Sequence, residues 1–215
     1  MQFETQRLII REWCPSEDAR HAMDIYGNAR VMHWLEAGSQ DGSVLEVQRR
    51  LQGYVARRGQ TQNNSRNWAV VQKDIGRVIG SVVISALPDM KDIQGSRTFE
   101  PVEHELTGSK VFRDGLSADY VELGWYFRPA SWGFGYATEA AFQVARYGFE
   151  TLDVSLLLAV VSPENTRAVA VAEGLGMRCD GLTTRRFRGE ALWLYLLRAP
   201  ALESAEKRWR SRFEV

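Results

Sequence analysis

Apolar positions along the chain recur with two periods, and each period predicts one set of elements. Alternation, or a short apolar run in the case of 156–161, predicts strands at residues 3–13, 68–71, 77–85, 121–127, 156–161 and 191–197. Apolar residues three or four positions apart predict helices at residues 17–26, 44–58, 137–149, 166–173 and 201–212. Strands and helices therefore alternate in a single α/β unit without repeats.

Two of these helices have an apolar stripe that we expect to be buried. In the helix at 44–58 the stripe consists of Val44, Leu45, Leu51, Tyr54 and Val55. In the helix at 137–149 it consists of Ala140, Ala141, Val144, Ala145 and Phe149. The sequence turns polar over residues 87–118, which is longer than an ordinary hairpin loop. Loops of this length tend to be either functional or mobile, and we expect an excursion there near the side of the acceptor substrate.

Composition is typical of a single globular domain. The chain has 215 residues, of which 45% are hydrophobic and 25% charged, so we expect residues 1–215 to form one domain around one core. Lys plus Arg and Asp plus Glu both number 27, and this zero net charge disfavours a nucleic-acid partner. The arginines near the C-terminal helix are more typical of a solvated surface than of a nucleic-acid site.

The cysteines and histidines disfavour other kinds of site. Cys14 and Cys179 lie far apart and form no metal-binding or disulfide pattern, which fits a reducing cytosol, so we expect a cytoplasmic protein. With only His21, His33 and His104 in the chain, we expect no metal site. No apolar run approaches the roughly 18 residues that a membrane span needs, so we expect no membrane partner.

A short loop that contains Gly133 and Gly135 separates the strand at 121–127 from the helix at 137–149. The first N–H groups of a helix have no partner within the helix, and the helix dipole adds a partial positive charge, so an anion can bind there. The loop is not a Walker loop, because no Gly-Lys-Ser/Thr follows, and it lacks the third glycine of a dinucleotide fold. Taken alone, it could also be a purely structural turn.

Segments along most of the chain resemble the GNAT superfamily of acyl-CoA N-acyltransferases, and within it the RimJ/RimL-like branch. They are the opening segment ETQRLIIR (4–11), the strand ELGWY (122–126) with the loop WGFGYATEA (132–140), and the later segments SPEN (162–165) and GLGM (174–177). Each segment is short, but their order and spacing are specific to that family.

The resemblance implies a mixed, twisted sheet of about seven strands flanked by helices, with splayed strands at a site for acetyl-CoA. Backbone groups of Trp125, Tyr126 and Phe127 would pair with the pantetheine amides, and one such N–H would polarise the thioester carbonyl. The diphosphate would lie on the amides of Gly133, Phe134, Gly135, Tyr136, Ala137 and Thr138. Asn165 would contact the pantetheine arm, and it is equally suited to cap the helix that follows.

Glu122 is the candidate base that takes the proton from the attacking amine. On the predicted strand it shares a face with Gly124 and Tyr126, beside an apolar opposite face. A carboxylate near apolar surface would have a raised pKa and act as a better base. The alternative is a structural carboxylate that forms a salt bridge or a hydrogen bond.

The chain departs from the family pattern at four positions, one of which is Ala168 in place of a frequent serine. Val160 stands where some relatives carry a glutamate base, and Ala172 stands where those relatives carry a tyrosine that protonates the leaving thiolate. Phe134 replaces a frequent lysine or arginine of the loop, which removes one positive charge near the diphosphate. A thiolate can still leave with help from water, so these departures weaken the mechanism without excluding it.

Trp34 and His104 are the candidate acceptor-binding residues. Trp34 could form a wall of the acceptor pocket, although an aromatic residue at that spacing is more often part of the core. His104 lies in the acidic stretch at 100–105, which could attract a cationic amine, although a solvated loop is the favoured interpretation. The excursion at 87–118 and the C-terminal helix are candidate surfaces of a homodimer.

Two functions therefore stand. The favoured one is an acetyl-CoA-dependent N-acetyltransferase, in which a primary amine attacks the thioester directly in a ternary complex. That amine would belong to a protein or peptide N-terminus or to a small molecule, since fold resemblance does not choose among acceptors. The alternative is a noncatalytic acyl-CoA-binding sensor, which the missing glutamate and tyrosine motivate.

Overall fold

An open sheet of eight strands is the main feature of the computed structural model, which describes residues 1–35, 40–57, 65–87, 120–183 and 191–211. The strands are β1 (Gln2–Glu4), β2 (Leu8–Arg11), β3 (Ser65–Gln72), β4 (Arg77–Leu87), β5 (Tyr120–Phe127), β6 (Leu157–Val161), β7 (Arg178–Thr183) and β8 (Leu192–Leu197). The helices are α1 (Pro15–Tyr26), α2 (Ala29–Met32), α3 (Val44–Ala56), α4 (Tyr136–Glu150), α5 (Thr166–Gly174) and α6 (Ala199–Arg210).

The sheet is mixed, as predicted, with the strand order β1-β2-β3-β4-β5-β6-β8-β7. β5 and β6 run parallel, whereas β1 with β2, β2 with β3, β6 with β8 and β7 with β8 run antiparallel. A parallel pair needs a crossover connection, and α4 is the helix between β5 and β6. The predicted α/β fold with a helix-flanked mixed sheet is confirmed, with one strand more than expected.

The chain divides into two compact units. The first takes its residues from Met1–Arg58, Ser65–Val83 and Gly124–Val144. The second takes most of its residues from Ile84–Leu123 and Ala145–Val215. The prediction of one domain over residues 1–215 stays a prediction.

The first unit begins with a hairpin instead of the single strand predicted at residues 3–13. β1 and β2 are antiparallel, with Gln2 opposite Arg11. Thr5 closes the turn, because its N–H donates to the Leu8 carbonyl at 3.0 Å and its hydroxyl accepts from the Leu8 N–H at 2.9 Å. A threonine that bonds to nearby backbone favours a turn over a continuous strand.

The core of the first unit lies among α1, α2, α3 and the neighbouring strands. Its buried members are Trp13, Ala19, Ala22, Ile25, Tyr26, Val31, Met32, Val47, Leu51, Ala69, Val71 and Val78. Asp18 fixes the start of α1 beside this core. Its carboxylate accepts from the Cys14 N–H at 2.7 Å and from two nitrogens of Arg11 at 2.8 Å each.

The stripe predicted for α3 is wrong at three of its five positions. Val47 and Leu51 are the buried residues of α3, and Tyr54 is partly buried against the same core. The other three predicted members are exposed, namely Val44, Leu45 and Val55. Residues 47, 51 and 54 follow a spacing of four and three, so they form one row along the helix, and the exposed residues lie off that row.

The stripe predicted for α4 is largely confirmed. Ala140, Ala141, Val144 and Ala145 are fully buried, and Phe149 is half-buried. The helix begins at Tyr136, one residue before the predicted start. Phe142 is buried as well, so five of the six positions from 140 to 145 are buried and the buried surface of this helix is wider than the predicted stripe.

The second unit contains β6, β8 and β7. β6 is apolar throughout, and β8 pairs with it from Leu157 opposite Leu197 onward. β7 was not predicted from the sequence, because Arg178 and Asp180 interrupt its apolar pattern. It pairs with β8 with a register shift between Cys179 and Gly181.

α6 occupies nearly the predicted range in the second unit, as Ala199–Arg210 instead of 201–212. Its Glu206 accepts hydrogen bonds from Arg146 of α4 and from Arg210. Burial alone would raise the pKa of Glu206, but the hydrogen bonds from Arg146 and Arg210 outweigh it and hold that pKa below its ordinary value. Glu206 is therefore an anion that joins α6 to α4.

Candidate functional site

The candidate site begins on β5, where a carboxylate lies between two buried apolar residues. Val121 and Leu123 are buried, and Glu122 between them is half-buried, as the predicted alternation requires. In the register of the parallel pair, Glu122 lies opposite Leu158 of β6. The role of Glu122 as a base stays a prediction.

The pairing of β5 with β6 is short. Among the described residues it consists of Val121 with Leu157 and Glu122 with Leu158, whereas β5 continues to Phe127. The later backbone of β5, including Trp125 and Tyr126, is where the sequence predicts the pantetheine contacts. Splayed strands leave backbone groups to be satisfied by other partners.

The end of β5 is fixed by an aromatic side chain of the following turn. The indole Nε1 of Trp132 donates to the Phe127 carbonyl at 2.7 Å. A short 3-10 turn at Pro129–Ser131 connects the two residues. The Phe127 carbonyl therefore already accepts one hydrogen bond within the chain.

Tyr126 also contributes to the core of the first unit, where it packs against the cluster around Tyr26. Burial raises the pKa of Tyr26 well above its ordinary value, and Tyr54 and Tyr126 raise it further. Tyr26 is therefore neutral over the physiological pH range. The side chain of Tyr126 serves this packing, so any ligand contact of Tyr126 is expected to use its backbone.

The loop before α4 has the conformation that its two glycines allow. Gly133 and Gly135 have φ angles of 85° and 78°, in the left-handed region where other residues are strained. A Cβ at Gly133 would meet no atom within 4 Å, so the backbone there faces open space. An approaching anion would therefore meet no side chain at that position.

The N–H groups at the start of α4 follow the glycine loop and form the other part of the candidate anion site. The Glu139 N–H donates to the Gly135 carbonyl at 3.0 Å and makes the first full turn of the helix. The amides of Tyr136, Ala137 and Thr138 precede that bond and have no carbonyl four residues back within the helix. Within the described part of the chain, no side chain accepts a hydrogen bond from these three amides. The arrangement fits a phosphate-type anion.

Arg7 reaches this loop from the N-terminal hairpin, which the sequence did not indicate. Its Nη1 donates to the Phe134 carbonyl at 3.0 Å, and its Cζ lies 4.6 Å from the centroid of the Tyr136 ring. It also forms an ion pair with Glu139, with Nη2 2.6 Å from Oε2. The loop lacks a cation of its own at Phe134, but a guanidinium from elsewhere in the first unit contacts it.

Asn165 caps α5 in the second unit, which confirms one of its two predicted roles. Its Oδ1 accepts from the Ala168 N–H at 3.2 Å, and its own N–H donates to the Ser162 carbonyl at 2.9 Å. This is the ordinary N-cap interaction of an asparagine. The predicted contact with a pantetheine arm stays a prediction.

The predicted acceptor residues are only partly within the described structure. Trp34 is half-buried, and its ring meets that of His33 edge-on at a centroid distance of 4.6 Å. His104 and most of the excursion predicted at 87–118 lie outside the described residues. Whether Trp34 or His104 binds the acceptor stays a prediction.

The thiols and acidic groups show no further site among the residues that the structure describes. Cys14 and Cys179 are both free and exposed. No group of three or more His, Cys, Asp or Glu side chains within the described ranges could hold a metal ion. In the same ranges, none of the helices has the length and apolar character needed to cross a membrane.

Comparison with a protein-family model gives a match over most of the chain. The model described as "Acetyltransferase (GNAT) domain" matches residues 7–178. A Bacillus subtilis (strain 168) protein named "Uncharacterized N-acetyltransferase YnaD" is 36% identical over 76 residues, which are 35% of this chain and 45% of that protein. The chain thus spans less than half the length of this relative in the match.

Solved structures share the fold over nearly the whole chain. The GNAT-family acetyltransferase from Bacillus anthracis has a TM-score of 0.66 and 20% sequence identity, and covers 92% of this chain and 98% of its own. Mycobacterium smegmatis RimJ, in complex with CoA-disulfide, has a TM-score of 0.67 and 16% identity, and covers 95% of this chain and 88% of its own. At these identities the similarity is one of fold.

Proposed function

This chain belongs to the GNAT acetyltransferase family, and from that premise we propose that it transfers an acetyl group from acetyl-CoA to a primary amine. In the reaction the amine attacks the thioester carbonyl directly in a ternary complex. A C–N bond replaces the C–S bond, and coenzyme A leaves as a thiolate that takes a proton from water. The confirmed family membership supports acyl transfer in general. The acceptor and the acting residues are the proposed part.

The start of α4 is the observation that carries the proposal. Its first three amides have no side-chain cap among the described residues, and two left-handed glycines precede them. A diphosphate satisfies such amides without requiring a lysine or arginine in the loop. The residues present therefore fit the diphosphate of coenzyme A.

The proposed roles of the residues follow from this fit. Acetyl-CoA supplies the acetyl group as a thioester. The amides of Tyr136, Ala137 and Thr138 bind the diphosphate, and the backbone of Trp125 and Tyr126 pairs with the pantetheine arm. The carboxylate of Glu122 accepts the proton of the attacking amine, directly or through a water molecule.

The acceptor is proposed as a primary amine of a protein or peptide N-terminus or of a small molecule. Mycobacterium smegmatis RimJ shares this fold and is seen with a form of coenzyme A, which supports the cofactor but does not choose the acceptor. A cytoplasmic location and a homodimer stay predictions from the sequence.

A calorimetric titration with acetyl-CoA, followed by an assay of coenzyme A release, tests the proposal. Micromolar binding, roughly −8 kcal/mol, is expected for a cofactor held by several backbone contacts. The release assay then uses peptides that differ in their N-terminal residue and a series of small amines, with acetylated product identified by mass spectrometry.

Three results are possible in that experiment. Binding with transfer to at least one amine supports the enzyme. Binding without transfer to any amine supports the sensor, a reading that the buried Ala172 also favours because this chain has no tyrosine there to protonate a thiolate. A folded protein that does not bind acetyl-CoA contradicts both.

A further inference from the structure

A buried carboxylate lies within the first turn of α4, where an anion is proposed to bind. Glu139 is 8% exposed and follows the three uncapped amides directly. A carboxylate there stabilises the helix by itself, because it faces the positive end of the helix dipole. For a bound diphosphate, however, the same carboxylate is a nearby like charge and opposes binding.

The N-terminal hairpin neutralises this carboxylate. Oε1 of Glu139 accepts from the Thr5 hydroxyl at 2.5 Å and from the Arg7 N–H at 3.1 Å. Oε2 accepts from Nε of Arg7 at 2.7 Å and lies 2.6 Å from Nη2 of the same guanidinium. Two nitrogens of the guanidinium thus converge on one carboxylate oxygen, and hydrogen bonds between ionised groups are stronger than those between neutral ones.

The guanidinium of Arg7 also holds the loop. Its Nη1 donates to the Phe134 carbonyl at 3.0 Å, which keeps that partial negative charge directed at Arg7. Its face lies over the ring of Tyr136, whose hydroxyl accepts from Nε2 of Gln72 at 2.9 Å. Arg7 therefore contacts the loop, the first residue of α4 and the carboxylate of its first turn.

We propose that Arg7 is a positioning residue for the cofactor, and that it acts by cancelling the charge of Glu139 so that the amides of α4 present a net positive field to the diphosphate. The proposal rests on the proposed function and adds that the charges of Arg7 and Glu139 must balance for the cofactor to bind. Arg7 and Glu139 cancel each other, and the helix dipole remains. Without Arg7, the buried carboxylate outweighs the dipole.

The sign of each variant's effect follows from this balance. We expect Arg7→Met to weaken acetyl-CoA binding at least about tenfold, because it leaves a like charge near the diphosphate. Glu139→Gln breaks the same ion pair but leaves a positive charge, so its affinity is expected to equal or exceed that of the unmodified chain. The double variant Arg7→Met with Glu139→Gln is expected to recover most of the loss.

A matched control removes the same kind of ion pair from the later half of the same helix. Arg146 of α4 pairs with Glu206 of α6, as Arg7 pairs with Glu139. Arg146→Met is expected to lower thermal stability without changing affinity for acetyl-CoA. This control separates the general cost of losing an arginine from the effect at the start of the helix.

The experiment is calorimetry at pH 8 on the full chain and these four variants, with thermal unfolding of each recorded in parallel. A second series replaces acetyl-CoA by its 3′-dephospho form, which keeps the diphosphate. The loss in Arg7→Met is expected to be the same with both ligands. A loss that disappears with the 3′-dephospho form would place the effect at the other phosphate and overturn the proposal.

The remaining outcomes are equally decisive. If the double variant stays as weak as Arg7→Met, then the guanidinium acts on the ligand itself and charge cancellation is wrong. If Glu139→Gln is as weak as Arg7→Met, the pair has only a structural role. If the unmodified chain binds acetyl-CoA and Arg7→Met binds it equally well, only this proposal fails, whereas absence of binding by the unmodified chain removes the proposed function too.

Discussion

The junction from β5 to α4 and the junction from β6 to α5 both lead a strand into a helix, but they treat the first helical amides differently. At the second junction the chain satisfies its own groups, because the Asn165 side chain accepts from the Ala168 N–H. At the first junction left-handed glycines precede the helix, and no side chain within the described residues takes that role.

The difference is the one expected if the start of α4 binds the proposed ligand. An internal cap such as that of Asn165 contributes about 1 kcal/mol to stability and is absent from α4. If the diphosphate binds the amides of α4 as proposed, that binding stabilises the folded state by mass action. The first junction would then lack the stability of a cap in the free protein and gain stability with the bound ligand.

The largest expected effect comes from placing a negative charge in the first junction. Gly135→Glu is expected to reduce affinity for acetyl-CoA at least about a hundredfold, because a carboxylate next to the diphosphate costs several kcal/mol. Calorimetry at moderate ionic strength measures this loss.

Gly135→Gln is the matched control for that variant. It carries the same backbone strain at a φ of 78° and a side chain of similar size, but no charge. Its affinity is expected to fall much less. If the two variants lose affinity for acetyl-CoA equally, the shape of the side chain and not its charge excludes the ligand. The two junctions would then differ only in their backbone conformation.

The strands that enter the two junctions also differ, since β5 carries Glu122 and β6 is apolar throughout. Glu122→Gln is expected to lower kcat about a hundredfold, the range for loss of a general base, with little change in affinity for acetyl-CoA. Initial rates with an amine found in the release assay measure it.

Glu164→Gln, at an exposed carboxylate of the second junction, is the control and is expected to leave kcat unchanged. An unchanged kcat in Glu122→Gln would remove Glu122 from the mechanism. The proton would then be taken by water or by another group of the chain.

A smaller effect is expected from backbone strain alone at the first junction. Gly133→Ala adds a methyl group into open space but forces alanine into a φ of 85°, which should destabilise the fold by roughly 1–2 kcal/mol. Gly53→Ala in α3 makes the same chemical change where the helix favours alanine and should stabilise by roughly 0.5–1 kcal/mol. Urea unfolding of both variants measures the sign of each change in the free energy of unfolding. If Gly133→Ala loses no stability, the loop is not strained.

The smallest expected effect lies at the second junction. Asn165→Ala should destabilise the fold by about 1 kcal/mol through loss of the cap, and Asn165→Ser should restore most of it. The same two proteins separate the predicted roles of Asn165. If both bind acetyl-CoA as tightly as the unmodified chain does, Asn165 is a cap alone, whereas an equal loss of affinity in both would support the contact with the pantetheine arm.

Local patterns were sufficient to predict much of the fold. We could predict the buried row of alanine and valine in α4 and the apolar strand β6, because a few neighbouring residues are enough to show that each is buried. The row of α3 was misjudged, because Val44 and Val55 at its ends are as apolar as the buried Val47. β7 was missed because its first residues are charged and its pairing with β8 is not visible in its own pattern.

The candidate site also has parts that the local sequence predicts and a part that it does not. The glycines of the first junction and the cap at Asn165 were predicted from residues next to one another in sequence. The ion pair of Arg7 with Glu139 could not be, because its partners lie 132 positions apart and each residue type is common on solvated surfaces. Only the hairpin turn at Thr5 brings Arg7 to face that carboxylate.

That long separation has a consequence for the synthesis of the chain. Contacts between distant residues tend to form late, because closing the intervening loop costs entropy before the contact compensates for it. At ordinary translation rates a ribosome adds Glu139 roughly ten seconds after Arg7, so the N-terminal hairpin waits for its partner. The charge of Glu139 in the first turn of α4 is balanced only when Arg7 has reached it. Affinity for acetyl-CoA would then report that this long-range contact has formed.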